Sequence, residues 1–309
     1  MMFGQDRFHR SQNDAGLGPV HGSQKTSGGA SCRHRHGLPF RLAAPSMVFG
    51  PDLMANVERL ATIVDHVEVV LFWTQELHNI PSKSQAKRLA DLVDKHALGC
   101  SVHLPASFQI ASENPRLREW SAAKIADIVR RTAFIRPQHY ILHIPFTKPT
   151  LTPVPGLYFS ETDSDRFVAW TGRARKSLQA LCSTIGPRNR LLVENINYSP
   201  SFLMPFCREG LCGLCLDIGH LMLGSEAVGE ALENFLPAVE EIHLHGVRGW
   251  EEHLALDVLE PARLAGWAAK LQKHGFDGVV DIEVFCQEDL TASIAALIQV
   301  LLGRNRAAC

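Results

Sequence analysis

Six stretches of this sequence end an apolar run on a side chain that can bind a cation or move a proton: Val102-His103, Leu142-His143, Val193-Glu194, Leu216-Asp217, Ile242-His243 and Ile282-Glu283. The Asp217 stretch continues through Ile218 and Gly219 to His220, so a turn at the glycine would aim a second group at the same place. A carboxylate left at the end of a hydrophobic strand is costly to bury alone and calls for a cation, a metal or a dense set of donors. The segment Glu251-Glu252-His253 adds Glu251 and His253 as further candidates. Mixed imidazole and carboxylate ligands suit zinc first, with manganese or iron also accommodated, and several acids around one point favour more than one ion. We therefore expect one to three divalent metal ions per chain. Any single histidine could equally be a hydrogen-bonded core residue, but chance does not align polar groups at one end of so many strands. His245 is read as an orienting neighbour rather than a ligand, and His139, at the start of its strand, as a structural residue on the opposite rim.

The elements that must position these groups alternate along the chain. Strands are expected at 40–44, 67–72, 100–104, 139–144, 190–196, 213–218, 241–245 and 279–285. Helices are expected at 53–64, 84–96, 122–133, 166–183, 226–235, 261–274 and 290–302. Eight strands alternating with helices over about 245 residues match a (β/α)8 TIM barrel, whose functional groups sit at the C-terminal strand ends. An open doubly wound sheet would share the alternation without bringing six strand ends onto one centre. Pro105 and Pro145 stop their strands just after His103 and His143. The proline-rich connection from Phe146 to about Asp165 is long enough to be a lid or a binding segment. Residues 250–253 are expected in a loop.

Composition narrows the partners. The chain has 309 residues, 46% hydrophobic and 20% charged, enough for one large core. Residues 1–38 are rich in Gly, Ser, Gln, Arg and His and are expected to form a disordered N-terminal extension, in which Cys32, His34 and His36 are incidental. The catalytic domain is then a single barrel over 39–305. A net charge of −1 and the lack of basic runs argue against a nucleic-acid partner, so the expected substrate is a small molecule. No stretch is long and apolar enough for a membrane span and no signal peptide is evident, which points to the cytoplasm. The eight cysteines lack the spacing of a zinc ribbon and are expected to be reduced thiols.

The quoted motifs, His103-Leu-Pro, His143-Ile-Pro, Val193-Glu194-Asn195, Asp217-Ile-Gly-His220, Ile242-His243-Leu-His245, Glu251-Glu-His253 and Glu283, resemble the metal-binding series of the xylose isomerase-like TIM barrel superfamily. That superfamily includes the apurinic endonucleases of family 2 and sugar-phosphate isomerases. By resemblance to the endonuclease branch, three metals would be held: the first by His103, His143 and Glu194, the second by Glu194, Asp217, His243 and Glu283, the third by His220, Glu251 and His253. Glu251 stands where that branch has Asp. The segments Arg41-Leu-Ala-Ala-Pro-Ser46, Val67-Glu-Val-Val-Leu-Phe72, Ser101-Val-His-Leu-Pro105 and Tyr140-Ile-Leu-His143 further resemble cobamide-remodelling phosphodiesterases. That likeness implies hydrolysis of the nucleotide-loop phosphodiester of adenosylcobamides to adenosylcobinamide phosphate and α-ribazole.

Ligands of these types also suit phosphodiester cleavage on their own chemistry, because metals acidify water and neutralise charge on phosphate oxygens. Glu283 or Glu194 is the expected catalytic residue that orients the attacking water. A sugar or sugar-phosphate isomerase or epimerase is the alternative: it would need one metal at Glu194, Asp217, His243 and Glu283, the two glutamates serving as acid and base. A DNA-repair endonuclease would need a basic groove that the sequence does not advertise. A protein that only binds structural metal would have a closed site with fewer carboxylates.

Overall fold

The computed structural model describes residues 34–74, 76–146, 158–159, 164–186 and 190–302, all within one contact unit, Arg33–Cys309. The strands are β1 (Arg41–Pro45), β2 (His66–Val70), β3 (Gly99–His103), β4 (Tyr140–His143), β5 (Leu191–Glu194), β6 (Gly213–Asp217), β7 (Val239–Leu244), a short pair β8 (Gly246–Arg248) and β9 (Glu251–Leu254), and β10 (Val279–Ile282). β1 to β7 and β10 close in the order β1-β10-β7-β6-β5-β4-β3-β2, each neighbouring pair parallel, while β8 and β9 form a separate antiparallel ribbon. This is the closed eight-stranded TIM barrel expected from the alternation.

The helices are α1 (Leu53–Leu60), α2 (Lys83–Lys95), α3 (Pro115–Thr132), α4 (Asp165–Ile185), α5 (Met204–Arg208), α6 (Ile218–Leu223), α7 (Val228–Phe235), α8 (Pro261–Lys273) and α9 (Gln287–Leu302). Local chemistry sets their starts. Asp52 accepts from Ala55 N, Ser82 and Gln85 form a capping box, and Ser164 accepts from Phe167 N. α3 begins seven residues before its expected start, because Asn114 caps it and Pro115 takes the first helical position. Its charged opening turns hide the apolar period that marks the later ones. α5, α6 and the β8–β9 ribbon were not expected, being too short for a periodic signal.

Period-two alternation along each strand separates two surfaces. Tyr140, Leu142, Val193, Leu214, Leu216 and Ile242 join the large core shared with the helices, while Ile141, Leu192 and Cys215 form a separate apolar cluster. His66, Glu68, Ser101, Glu241 and Asp281 are fully buried polar residues on β2, β3, β7 and β10. Most lie two residues before a strand-end group on the same parity, so the barrel interior carries a polar layer beneath one side of the mouth. His66 shares it: its Nε2 lies 3.0 Å from Ser101 Oγ, and its ring covers Gly99 so closely that a Cβ there would fall 2.3 Å from Nδ1.

Two expectations hold only in part. Of the expected tail, 1–33 lies outside the described residues, whereas residues 34–38 pack: Arg35–Gly37 makes one 3-10 turn, Arg35 N donates to Asp65 Oδ1 at 2.8 Å, and Leu38 is buried. Of the long connection after Phe146, residues 147–157 and 160–163 lie outside the described residues, and Phe159 bridges to Tyr198. Among the described residues, six cysteines are free and no helix is long and apolar enough to cross a membrane.

Candidate metal centre

The strand-end groups meet at the C-terminal mouth, with Glu194 as hub. Its Oε2 lies 3.1 Å from His103 Nε2, 3.0 Å from His143 Nε2 and 3.5 Å from His243 Nδ1, and its Oε1 lies 3.4 Å from His220 Nδ1. His243 Nδ1 is also 3.2 Å from Glu283 Oε2 and 3.9 Å from Asp217 Oδ2. Ligand atoms of Glu194, Asp217, His243 and Glu283 all lie within 4.8 Å of one another, as do those of His103, Glu194 and His243.

Backbone contacts decide which nitrogen each ring presents. His103 Nδ1 donates to Leu104 O at 2.9 Å, His220 Nδ1 to Asn195 O at 2.9 Å and His253 Nδ1 to Glu283 O at 3.0 Å. A carbonyl only accepts, so Nδ1 keeps its proton and Nε2 of each ring is the nitrogen that can give up its proton to meet a cation. Asp217 serves twice. Its Oδ1 accepts from His220 N at 2.6 Å and caps α6, so one carboxylate both starts that helix and faces the centre with Oδ2. Asn195 clips the ends of β5 and β6 together, accepting from Asp217 N and donating to Asp217 O, both at 2.9 Å.

The remaining candidates divide. His220 Nε2 lies 3.7 Å from Glu252 Oε2, and His253 Nε2 lies 3.9 Å from Glu252 Oε1. Glu251 is exposed and pairs in register with Arg248 on the ribbon, so the structure does not bring it to the cluster; Glu252 takes that place. Strict alternation would put 251 and 253 on one face, but His253 has a left-handed φ of 57°, which breaks the parity. His245, read from sequence as an orienting neighbour, comes into the set: its Nε2 is 3.5 Å from Asp217 Oδ2, and its Nδ1 lies 2.9 Å from His253 N. Its position two residues after His243 was the available signal. Nothing in the sequence singled out Glu252 over Glu251. His139 sits on the other rim against Glu240 at 3.1 Å and Glu241 at 3.3 Å, as expected for a structural residue. Gly219 has no left-handed φ and lies inside α6, so the turn expected of it does not occur; His245 packs against it instead.

Electrostatics and orphaned atoms test whether these residues fit metal ions. Burial alone would lower the His103 pKa, but the hydrogen bond to Glu194 and the charge of Glu68 carry it to about 9. His220 is likewise brought to about 10, burial being outweighed by Asp217, Glu194 and Glu252. Against burial, His143 and His243 hold the Glu194 carboxyl well below its ordinary range. The acids thus draw positive charge onto the imidazoles, a demand that divalent cations satisfy. Asp217 Oδ2, His243 Nδ1, His245 Nε2 and Glu283 Oε2 are buried with no hydrogen-bond partner, although their neighbours stand 3.2 to 3.9 Å away. Donors about 2.1 Å from a tetrahedral ion lie roughly 3.4 Å from one another, so this spacing matches ligands around a cation better than hydrogen bonds. The residues fit the group.

Comparison with known proteins agrees with the architecture. The family model described as "Xylose isomerase-like TIM barrel" matches residues 57–302. No curated protein sequence matches the chain. Among solved structures, a D-tagatose 3-epimerase-like protein superposes with a TM-score of 0.69 at 20% identity, covering 87% of this chain and 100% of its own. Endonuclease IV from Thermus thermophilus gives 0.61 at 18% identity, covering 85% and 99%. An L-ribulose 3-epimerase gives 0.62 at 16%, covering 87% and 97%. At these identities the likeness speaks for the fold, and the family match over most of the chain settles the rest: the protein belongs to the xylose isomerase-like TIM barrel family.

Proposed function

We propose that the barrel, over 39–305, is a divalent-metal-dependent phosphodiesterase that cleaves the nucleotide-loop phosphodiester of adenosylcobamides, giving adenosylcobinamide phosphate and α-ribazole. One observation carries the hydrolase reading. Beyond Glu194, Asp217, His243 and Glu283, the mouth gathers His103 and His143 on one flank and His220, His245, Glu252 and His253 on the other. A single ion takes about four to six ligands, so this set suits two or three.

Ions held there would supply Lewis-acid charge for a phosphate diester and make nearby water more acidic. The chain's own groups do the rest. Glu283, whose carboxylate has a second oxygen besides the Oε2 that faces the cluster, is the residue that orients the attacking water, and Glu194 fixes the surrounding imidazoles. His143, His220, Glu252 and His253 are the partly exposed members, and the side they line is the one a substrate would approach. Phe285, 42% exposed, stands edge-on to His253 at 5.0 Å and offers an apolar face beside the centre. Such a face suits a corrinoid or benzimidazole surface better than a DNA backbone, and the near-zero net charge agrees.

A second reading has its own support. The compact group of Glu194, Asp217, His243 and Glu283 is sufficient for one ion, with two glutamates flanking it as acid and base for a sugar epimerase. The epimerases among the structural relatives favour it. One experiment separates the two: purified, metal-replete protein is analysed for metal by mass spectrometry and incubated with adenosylcobalamin, with an abasic-site duplex and with D-tagatose. Two or three ions with release of α-ribazole is the expected result. One ion with epimerised sugar would overturn the hydrolase reading, and a nicked duplex would overturn the substrate assignment. Glu283→Gln should lower turnover at least about 100-fold while the fold persists by circular dichroism; retained turnover would remove Glu283 from its role.

A further inference from the structure

Glu68 takes no part in the proposed hydrolysis, yet its surroundings give it a function. It stands on β2, fully buried, and its Oε2 lies 3.0 Å from Nε2 of His243 on β7. β2 and β7 are not neighbours in the barrel, since β1 and β10 lie between them. The contact therefore crosses the barrel interior beneath the mouth. His103, His220 and His253 each anchor the ring on a backbone carbonyl through Nδ1 and turn Nε2 to the centre. His243 is inverted. Its Nε2 is held from below by a carboxylate, and its Nδ1, buried without a hydrogen-bond partner, faces Glu283, Glu194 and Asp217.

We propose that Glu68 is a positioning residue that fixes His243 with its proton on Nε2 and its Nδ1 lone pair toward the metal ions. The inference rests on the metal-centre reading and adds to it a group that reaches His243 from the side away from Glu194, Asp217 and Glu283. A carboxylate behind a ligating imidazole holds the ring's tautomer and angle and raises its basicity, so its removal weakens metal binding by about 10- to 100-fold. A backbone carbonyl is the weaker acceptor, so His243 is held differently from the other three rings.

The test uses the full-length protein. Wild type, Glu68→Gln and Glu68→Ala are titrated with Co2+ against a chelator of known affinity, and the visible Co2+ absorption is recorded while circular dichroism reports the fold. Both variants should bind the tightest Co2+ at least about 10-fold more weakly, with an altered band in the visible spectrum. Unchanged affinity and an unchanged spectrum in folded Glu68→Gln overturn the proposal and leave the metal-centre reading standing. Failure of wild type to bind Co2+ overturns both. A second measurement does not depend on any variant folding: ring 15N shifts of His243 in the zinc-loaded wild type should report a protonated Nε2, and a protonated Nδ1 overturns the proposal.

Discussion

Substituting Gly219 by alanine adds one methyl group at the most crowded contact of the mouth. A Cβ on Gly219 would lie 1.9 Å from His245 Cε1 and 2.2 Å from its Nε2. Ordinary carbon contact needs about 3.4 Å or more, so the ring must move by roughly 1.5 Å. That movement is not free. His245 is fully buried, its Nδ1 lies 2.9 Å from His253 N, and its ring centroid lies 4.3 Å from that of His253. The displacement therefore passes to His253 on one side and away from Asp217 on the other. Two effects on stability oppose each other: alanine favours the helix over glycine by about 1 kcal/mol, while overpacking costs about 1 to 3 kcal/mol. The net effect runs from neutral to about 2 kcal/mol destabilising, and metal content is the decisive reading. We expect Gly219→Ala to lose one ion equivalent after gel filtration, or to bind it about 10- to 100-fold more weakly. The tightest ion, at Glu194, His243 and Glu283, should remain. Wild-type metal content together with a raised midpoint would refute the argument, because it would show that His245 yields at no cost.

Other outcomes follow from the same geometry. Glu252→Gln should remove the ion facing His220 and His253, whereas Glu251→Gln should leave metal content unchanged; mass spectrometry of both variants checks the assignment on the ribbon. Asn195→Ala leaves Asp217 N and O without partners between β5 and β6, and should destabilise by roughly 1 to 3 kcal/mol in urea unfolding. His66 gives a pH signature. Burial holds its pKa at about 3, against 6.5 for the free side chain, so between these values the unfolded chain binds a proton that the folded one does not. Stability is therefore intact above pH 6.5 and falls as the pH drops toward 3, by about 1.4 kcal/mol per unit from this residue. The difference in unfolding free energy between wild type and His66→Gln should shift by roughly 2 kcal/mol from pH 6.5 to 5; parallel curves would show that His66 takes up a proton in the fold.

Local physics wrote much of the design into the chain. Apolar runs that stop on His, Asp or Glu, followed by helical periods, carry both the barrel order and six of the groups at its mouth, because strand-end placement in a parallel barrel follows from connectivity alone. Asp217 and His220 are paired in the sequence through the glycine between them, but what joins them is the cap on α6, where Asp217 Oδ1 accepts from His220 N. What the chain does not reveal locally is which of two adjacent glutamates turns inward: a single left-handed residue, His253, breaks the parity of the ribbon in favour of Glu252. The close approach of His245 to Gly219 and the reach of Glu68 across the barrel to His243 belong to the same class. Each joins residues distant along the chain, so no spacing in the sequence encodes it. Closure of the cylinder sets those distances, and with them which nitrogen of each imidazole is left to meet a cation.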